Sequence, residues 1–398
     1  MRISTANAYD LSIDNLSKGM QDLASVQEQM STKKRINRAS DDPAGAARAE
    51  RALANEKRTD ANQRAVDASQ NAMTLTESAM GDANDLLQQA RELMVKAGNA
   101  SYSDAERKSL ADELIGVRKQ LLAVANRTDG AGTYLFGGQG TAQPPFLDAA
   151  GGVQYRGASG EAESVSGESL PLTIDGQNAW MRARSGNGVF ETAGTATNAG
   201  TGWIDSGRVT DPSQVTGSTY TISFDVTGGV TTYSVLKDGN PTALTGAPFK
   251  PGQAIEIEGL SANVTGNPAH GDSFSMAPSQ PDQSMFDVLD RAITDLNTGG
   301  RNAGQIAQSN SSSIAALDAS MGQLTSARSK VGETLNRIEA VTGRLDDSRL
   351  AAQTERQNAE GLDMVKAISD FQNKQTGYDA ALKSYAMVQK ISLFNYVS

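Results

Sequence analysis

Of the 11 prolines in this 398-residue chain, ten fall between Pro144 and Pro281, and the remaining one is Pro43. Proline lacks a backbone donor and clashes with the preceding turn, so helix interiors exclude it. The two flanks are therefore free to be helical, and irregular or β structure is confined to the middle. Both tryptophans, Trp180 and Trp203, sit in that middle block. The flanks are rich in Ala, Gln, Asn, Leu and charged residues.

The flanks carry heptads. One seam runs Met73, Thr76, Met80, Ala83, Leu87, Ala90, Met94, Ala97, and a second runs Leu110, Leu114, Val117, Leu121, Val124. A third runs Ile314, Leu317, Met321, Leu324, Arg328, Val331, Leu335, Ile338, Thr342, Leu345. Steps of three and four place such side chains on one helical stripe, so these helices pack lengthwise. Asp41-Asp42-Pro43 reads as a helix start, with an Asp cap and Pro in the first turn. Gly98-Asn99 stops that helix, and Ser103 to Glu106 has the capping-box spacing that opens the next. At ~1.5 Å per residue, residues 43–97 would span roughly 80 Å. The expectation is a rod of about three long helices.

In the middle block the period changes to two. Tyr220 to Val226 alternates, Gly228-Gly229 turns, and Thr232 to Leu236 follows, which predicts a hairpin. Leu170–Ile174, Ala254–Glu258 and Ser273–Met276 are further strand candidates, whereas Thr192–Gly202 is too polar and Gly-rich to assign. The fold class is thus α+β: a long-helix, coiled-coil rod built from both chain termini, with an inserted β-rich outer domain. The expected division is 1–42 N-terminal coiled-coil segment, 43–137 first part of the bundle, 138–282 outer domain, 283–361 second part of the bundle, 362–398 C-terminal coiled-coil segment.

The extreme ends carry short seams of their own. One is Ile13, Leu16, Met20, Leu23, Gln27, Met30; the other is Ile368, Phe371, Gln375, Tyr378, Leu382, Tyr385, continued by Val388 and Ile391. Isolated helices of this length are marginal in water. Such tails are expected to gain order through assembly, as segments that fold on binding do.

The remaining chemistry is sparse. There is no cysteine, which excludes thiol catalysis, disulfides and thiolate metal sites. Formal net charge is −10, against a nucleic-acid partner, and the small cluster Lys33, Lys34, Arg35, Arg38 reads as a solvated helix end or salt-bridge patch. The single histidine, His270, lies in a Pro/Gly-rich stretch and reads as a turn residue. Gly137-Gly138-Gln139-Gly140 lacks the Gly-Lys-Ser/Thr ending of a phosphate loop. Asp41-Asp42 and Asp346-Asp347 read as caps and solvated faces. No catalytic, cofactor-binding or metal site is expected, and the chain is not expected to be an enzyme. No apolar run reaches membrane-spanning length, and the start Met1-Arg2-Ile3-Ser4-Thr5 does not resemble a cleaved secretory signal.

The run Arg35-Ile36-Asn37-Arg38-Ala39-Ser40-Asp41-Asp42-Pro43-Ala44-Gly45 resembles the N-terminal motif of the flagellin family. Arg328-Ser329-Lys330-Val331-Gly332 with Asn336-Arg337 is similar to that family's C-terminal pattern. Gly132 to Gly138 and Gly271-Asp272-Ser273-Phe274 resemble segments of its hook-associated members. The first five residues and the end, Ser392 to Ser398, look like the hook-associated junction type rather than filament flagellin. The resemblance implies a structural subunit at the hook–filament junction of a bacterial flagellum. It would be extracellular, exported by the flagellar type III pathway without a cleaved signal. Its implied partners are hook-associated protein 1, flagellin, copies of itself, and an export chaperone bound to the C-terminal helix, with no nucleic acid and no membrane insertion. The implied subunit interface uses Ile13, Leu16, Met20, Leu23, Met30, Ile368, Phe371, Tyr378, Leu382, Tyr385, Leu393 and Phe394. Filament flagellin, or a secreted adhesin-like binding module, is the alternative reading.

Overall fold

A computed structural model of the chain describes residues 2–141, 143–164 and 168–397, with side chains described between 10 and 387. The helices are α1 (Arg2–Thr32), α2 (Pro43–Ala97), α3 (Asp104–Ala125), α4 (Gly176–Trp180), α5 (Met285–Asn297), α6 (Ala303–Glu360) and α7 (Met364–Val397). The fold is α+β, with long terminal helices around a β-rich centre. It divides into two compact units, 65–340 and 1–64 with 341–398. The division falls within α2 and α6.

In the 65–340 unit the expected stripe of α2 is the buried one. All eight of its seam side chains, Met73 to Ala97, are buried. So are Leu110, Leu114, Val117, Leu121 and Val124 on α3. Of the expected α6 seam the buried members are Leu317, Leu324, Val331 and Ile338, one position per heptad. Ion pairs tie α2 to α6: Arg91 to Asp318 at 2.6 Å and Arg328 Nε to Glu77 at 2.9 Å. The amphipathic α5, burying Phe286, Leu289 and Ala292, packs on α3 as a fourth helix that heptad reading did not separate.

The turn between α2 and α3 is closed from inside. Gly98 ends α2, and the Ser103/Glu106 capping box opens α3 as expected. The buried Arg107 guanidinium then donates to the carbonyls of Ala97, Asn99 and Tyr102. Ala97 O is among the acceptors that the α2 C-terminus leaves unpaired, and Asn99 O and Tyr102 O belong to the turn beyond it, so one cation ties the helix end to the turn.

The middle block is two regions, not one. Residues 127–184 hold β1 (Phe146–Ala149), β2 (Gly152–Tyr155), β3 (Glu163–Ser164) and β4 (Leu170–Pro171) in two small hairpins. Here Trp180 stacks on Phe286 of α5 with centroids 6.2 Å apart, and Phe136 and Phe146 meet Trp180 edge-on. This region therefore packs on the helices. The strand expected over 170–174 is cut to two residues. Pro171 has no N–H to donate, and Ile174 donates instead to Leu135 O.

The second region is a sheet domain with its own core. Its strands are β5 (Phe190–Gly194), β6 (Trp203–Ile204), β7 (Arg208–Val209), β8 (Tyr220–Thr227), β9 (Val230–Lys237), β10 (Asn240–Pro241), β11 (Ala247–Pro248), β12 (Ala254–Ile257), β13 (Leu260–Thr265) and β14 (Ser273–Pro278). One sheet runs β10-β9-β8-β14-β5, with β11 also on β9; the other runs β12-β13-β6, with β7 on β13. The expected hairpin is β8–β9, in register from Tyr220↔Lys237 to Thr227↔Val230. Alternate residues Tyr220, Ile222 and Phe224 point into a core shared with Phe190, Val264 and Phe274. The stretch left unassigned, 192–202, includes most of β5, an edge strand paired to β14. Buried Asp272 of the Gly-Asp-Ser-Phe segment accepts from the N–H groups of Ala199, Gly200 and Ala269 at 2.8–3.0 Å. His270 sits in the adjoining turn, exposed, 3.2 Å from Asp225.

Candidate assembly interface

The second unit carries the terminal helices. Their pairing begins at a corner made by the motif 35–45. After α1, Lys33 takes a left-handed φ of 58°, and the chain turns toward α2. Asp41 accepts from the N–H groups of Asn37 and Arg38 at 3.1 and 2.9 Å, which rounds the turn. Asp42 caps α2 by accepting from Gly45 N–H at 2.9 Å. That bond, with the Arg35 guanidinium at 3.2 Å, holds the Asp42 carboxyl below its ordinary pKa. Ile36 is buried under the turn. A Cβ at Gly45 would sit 2.5 Å from Asp42 Oδ2 and from Ile36 Cδ1, so a larger residue there would push both side chains out of the corner. The motif residues Arg35, Ile36, Asn37, Asp41, Asp42 and Gly45 thus form one hydrogen-bonded corner.

The corner also grips the junction of α6 and α7. Arg35 N–H donates to Glu360 O at 2.7 Å, and Leu362 N–H donates to Lys33 O at 3.2 Å. Lys34 and Gly361 form an antiparallel bridge. Arg35 Nη2 reaches Ala359 O at 2.9 Å, and Lys34 pairs with Glu360 at 3.0 Å.

From this corner α1 and α7 run antiparallel and packed together. Lys374 meets Asp22 at 3.4 Å, and the Tyr378 hydroxyl lies 3.9 Å from Met20 Sδ. The two positions of each heptad behave differently. Leu16, Leu23 and Met30 on α1 are half-buried, as are Phe371, Tyr378 and Tyr385 on α7. Their partners in the seam point out: Ile13 and Met20 are 50% and 63% exposed, Ile368 and Leu382 43% and 41%. Leu11, Val365 and Met387 add to this outward apolar surface. Leu393 and Phe394 lie outside the residues with described side chains.

Two details of the seam differ from the heptad reading. The most buried residues are Val26 on α1 and Ala367 on α7, whereas the neighbouring Gln27 and Ile368 are exposed. A straight helix drifts against a strict seven-residue repeat, and small side chains at the contact line admit the facing helix. The signal was available in the sequence as Val26 and Ala367 themselves, one residue before the expected seam positions.

The C-terminal motif lies in the other unit and is not one cluster. Arg328 makes the ion pair with Glu77 described above. Arg337 reaches Ser169 O at 3.4 Å. Gly332 has open space over its Cα, and Asn336 is exposed. No group of three His, Cys, Asp or Glu placed to hold a metal occurs among the described residues. No described helix is long and apolar enough to cross a membrane.

This arrangement defines a class. Residues 3–141 match the bacterial flagellin N-terminal helical region, and residues 314–397 match its C-terminal helical region. Between them, residues 193–278 match the D2-like domain of flagellar hook-associated protein 1. The crystal structure of the flagellar junction protein FlgL from Legionella pneumophila superposes with a TM-score of 0.66 at 30% identity, covering 71% of this chain and 95% of that one. Flagellar hook-associated protein 3 of Escherichia coli K12 is 24% identical over 404 residues, 99% of each chain. The namesake from Salmonella typhimurium LT2 is 29% identical over 192 residues, 48% of this chain and 57% of that one. Flagellins align over 32% of this chain. The chain belongs to the flagellar hook-associated protein 3 (FlgL) family, structural proteins of the hook–filament junction.

Proposed function

We propose that this protein is the adaptor between hook and filament, seated on hook-associated protein 1 and presenting the surface to which flagellin adds. Subunits join through the outward half of the α1 and α7 seams. The observation that carries this reading is that half-used seam: Ile13, Met20, Ile368 and Leu382 are apolar, aligned and uncovered in the single chain. Bringing such surface together is worth about 25 cal/mol per Å² removed from water. The five-part division of the chain serves the same reading, with 1–42 and 362–398 as the joining segments and 138–282 as the inserted β-rich part. The protein is extracellular, a part of the flagellum outside the cell. A cytoplasmic chaperone covers the α7 stripe before export, and the chain catalyses no reaction.

Leu382→Asp tests this. The variant is expected to be exported normally and to be missing from the hook–filament preparation, leaving cells with bare hooks and flagellin in the medium. Normal filaments on cells carrying only this variant would overturn the reading. Filament flagellin is the competing function. Loss of a sole flagellin would leave no flagellin in the medium, so the same culture supernatant separates the two.

A further inference from the structure

We propose that residues 33–42 and 359–362 form a register clamp, which fixes that α1 pairs with α7 of its own chain and at one alignment. This rests on the reading of the terminal helices as the assembly surface, and adds what sets their alignment.

A seam of repeating apolar residues does not by itself choose a register. Sliding α7 by one heptad exchanges Tyr378 for Tyr385 or Phe371 against the same α1 positions. Repeats of this kind need an element that specifies alignment. Between α1 and α7 the polar contacts include Lys374 to Asp22, with side chains 40% and 64% exposed, and the Tyr378 hydroxyl on Met20 Sδ at 3.9 Å; an exposed ion pair and a long sulfur contact discriminate weakly. The corner is different in kind. Its two backbone hydrogen bonds and the Lys34↔Gly361 bridge have a single alignment. The Arg35 side chain locks it by spanning Ala359 O and Asp42. Gly361 admits no side chain without conflict, because a Cβ would lie 2.4 Å from Gln357 O. The alignment set at the corner is then carried outward by two stiff helices: 34 faces 361, 22 faces 374, 20 faces 378. From Thr32, where α1 ends, back to Asp22 is about 15 Å at the helical rise per residue.

The same corner selects the partner. Both tails leave it side by side, so each meets its own mate at high effective concentration before it meets a neighbour's. The uncovered half of each seam is then left for other subunits.

The chain contains no cysteine, so introduced cysteines report pairing cleanly. The full-length protein carrying Asp22→Cys and Lys374→Cys is treated with a short bis-maleimide, alone and in assembled junctions. The expected product is an intrachain bridge, while a pair one heptad out, Asp22→Cys with Ala381→Cys, bridges poorly. Adding Arg35→Ala and Gly361→Val is expected to lower the in-register to out-of-register ratio about tenfold, or ~1.4 kcal/mol. Arg35→Ala alone gives a smaller drop, and serves if the double change disturbs folding; circular dichroism melting of the bundle shows which applies. An unchanged ratio in both clamp variants, or equal bridging of both pairs in the parent, would overturn the clamp. Interchain bridging in assembled parent junctions would overturn the partner choice. Failure of the parent to join hook–filament preparations, with the in-register bridge intact, would count against the adaptor function and leave the clamp standing.

Discussion

The α2 seam and the α1 seam are written in the same heptad pattern and end in opposite states. Every seam side chain from Met73 to Ala97 is buried, while on α1 the positions alternate between half-buried Leu16 and Leu23 and exposed Ile13 and Met20. The difference lies in the number of neighbours. Within the 65–340 unit α2, α3, α5 and α6 share one core, whereas among the described residues the main packing partner of α1 is α7. A two-position seam against one partner covers one position. The lesson is that a heptad specifies an apolar stripe, and the local helix count decides whether that stripe is core or interface.

The largest effect that could break this contrast is Leu87→Asp. It places a charge in a closed seam and is expected to cost more than about 4 kcal/mol. Thermal unfolding of the purified chain should show the bundle transition lost. Next is Asp272→Ala, which removes a buried acceptor shared by the part-buried amides of Ala199, Gly200 and Ala269. At about 1–3 kcal/mol in all, the sheet domain should melt first while the helical signal at 222 nm persists. A single joint transition would show that the two regions are not independent. Met20→Ser should move the melting of the isolated chain by no more than about 0.5 kcal/mol, yet reduce incorporation into junctions. A large stability loss would mean that the outward half of the α1 seam is covered within one chain.

The smallest effect is one of pH in the sheet domain. Glu258 accepts from Lys237 Nζ and from the Tyr220 hydroxyl, both at 2.6 Å, and these donors hold its carboxyl from an ordinary 4.5 down to about 2. The folded state therefore binds fewer protons than the unfolded chain between those values. The pair's stabilisation is complete above that window and fades as pH falls from 4.5 toward 2. Glu258→Gln should lower the melting of the sheet domain near neutrality and flatten its acid limb, so that parent and variant converge as pH falls toward 2.

The helices were legible because their signals are local. Pro43, Gly98 and the Ser103/Glu106 box mark ends that depend on a few neighbouring residues, and the α2 and α3 seams repeat often enough to fix the buried face. The β8–β9 hairpin was legible for the same reason: alternation on both sides of Gly228-Gly229. What sequence reading missed depends on distant partners. Trp180 reads as part of the β block until Phe286, more than a hundred residues later, is brought beside it. The strand Phe190–Gly194 has no clear alternation and exists because β14 offers it a ladder. In the tails, the heptad pattern points to Gln27 and Ile368, whereas the contact line runs through Val26 and Ala367. The contact line is set by how closely two particular helices approach, which a single-helix pattern does not contain. The role of the 35–45 motif as a corner gripping Glu360 and Gly361 could not be seen from either segment alone.

The sheet domain is entered through Phe190 and left through Pro278, and these two residues are register partners on neighbouring strands. The chain thus enters and leaves the domain through one doorway the width of a strand pair, while Asn302, Gln305 and Gln308 at the start of α6 hydrogen-bond to the domain's Ala199, Asn198 and Ile204. The domain's contents can be enlarged, exchanged or removed across a short bridge without rerouting the rest of the chain. For lineages whose flagella meet different surroundings, and for anyone wishing to display cargo at a filament's base, the doorway is the place to cut.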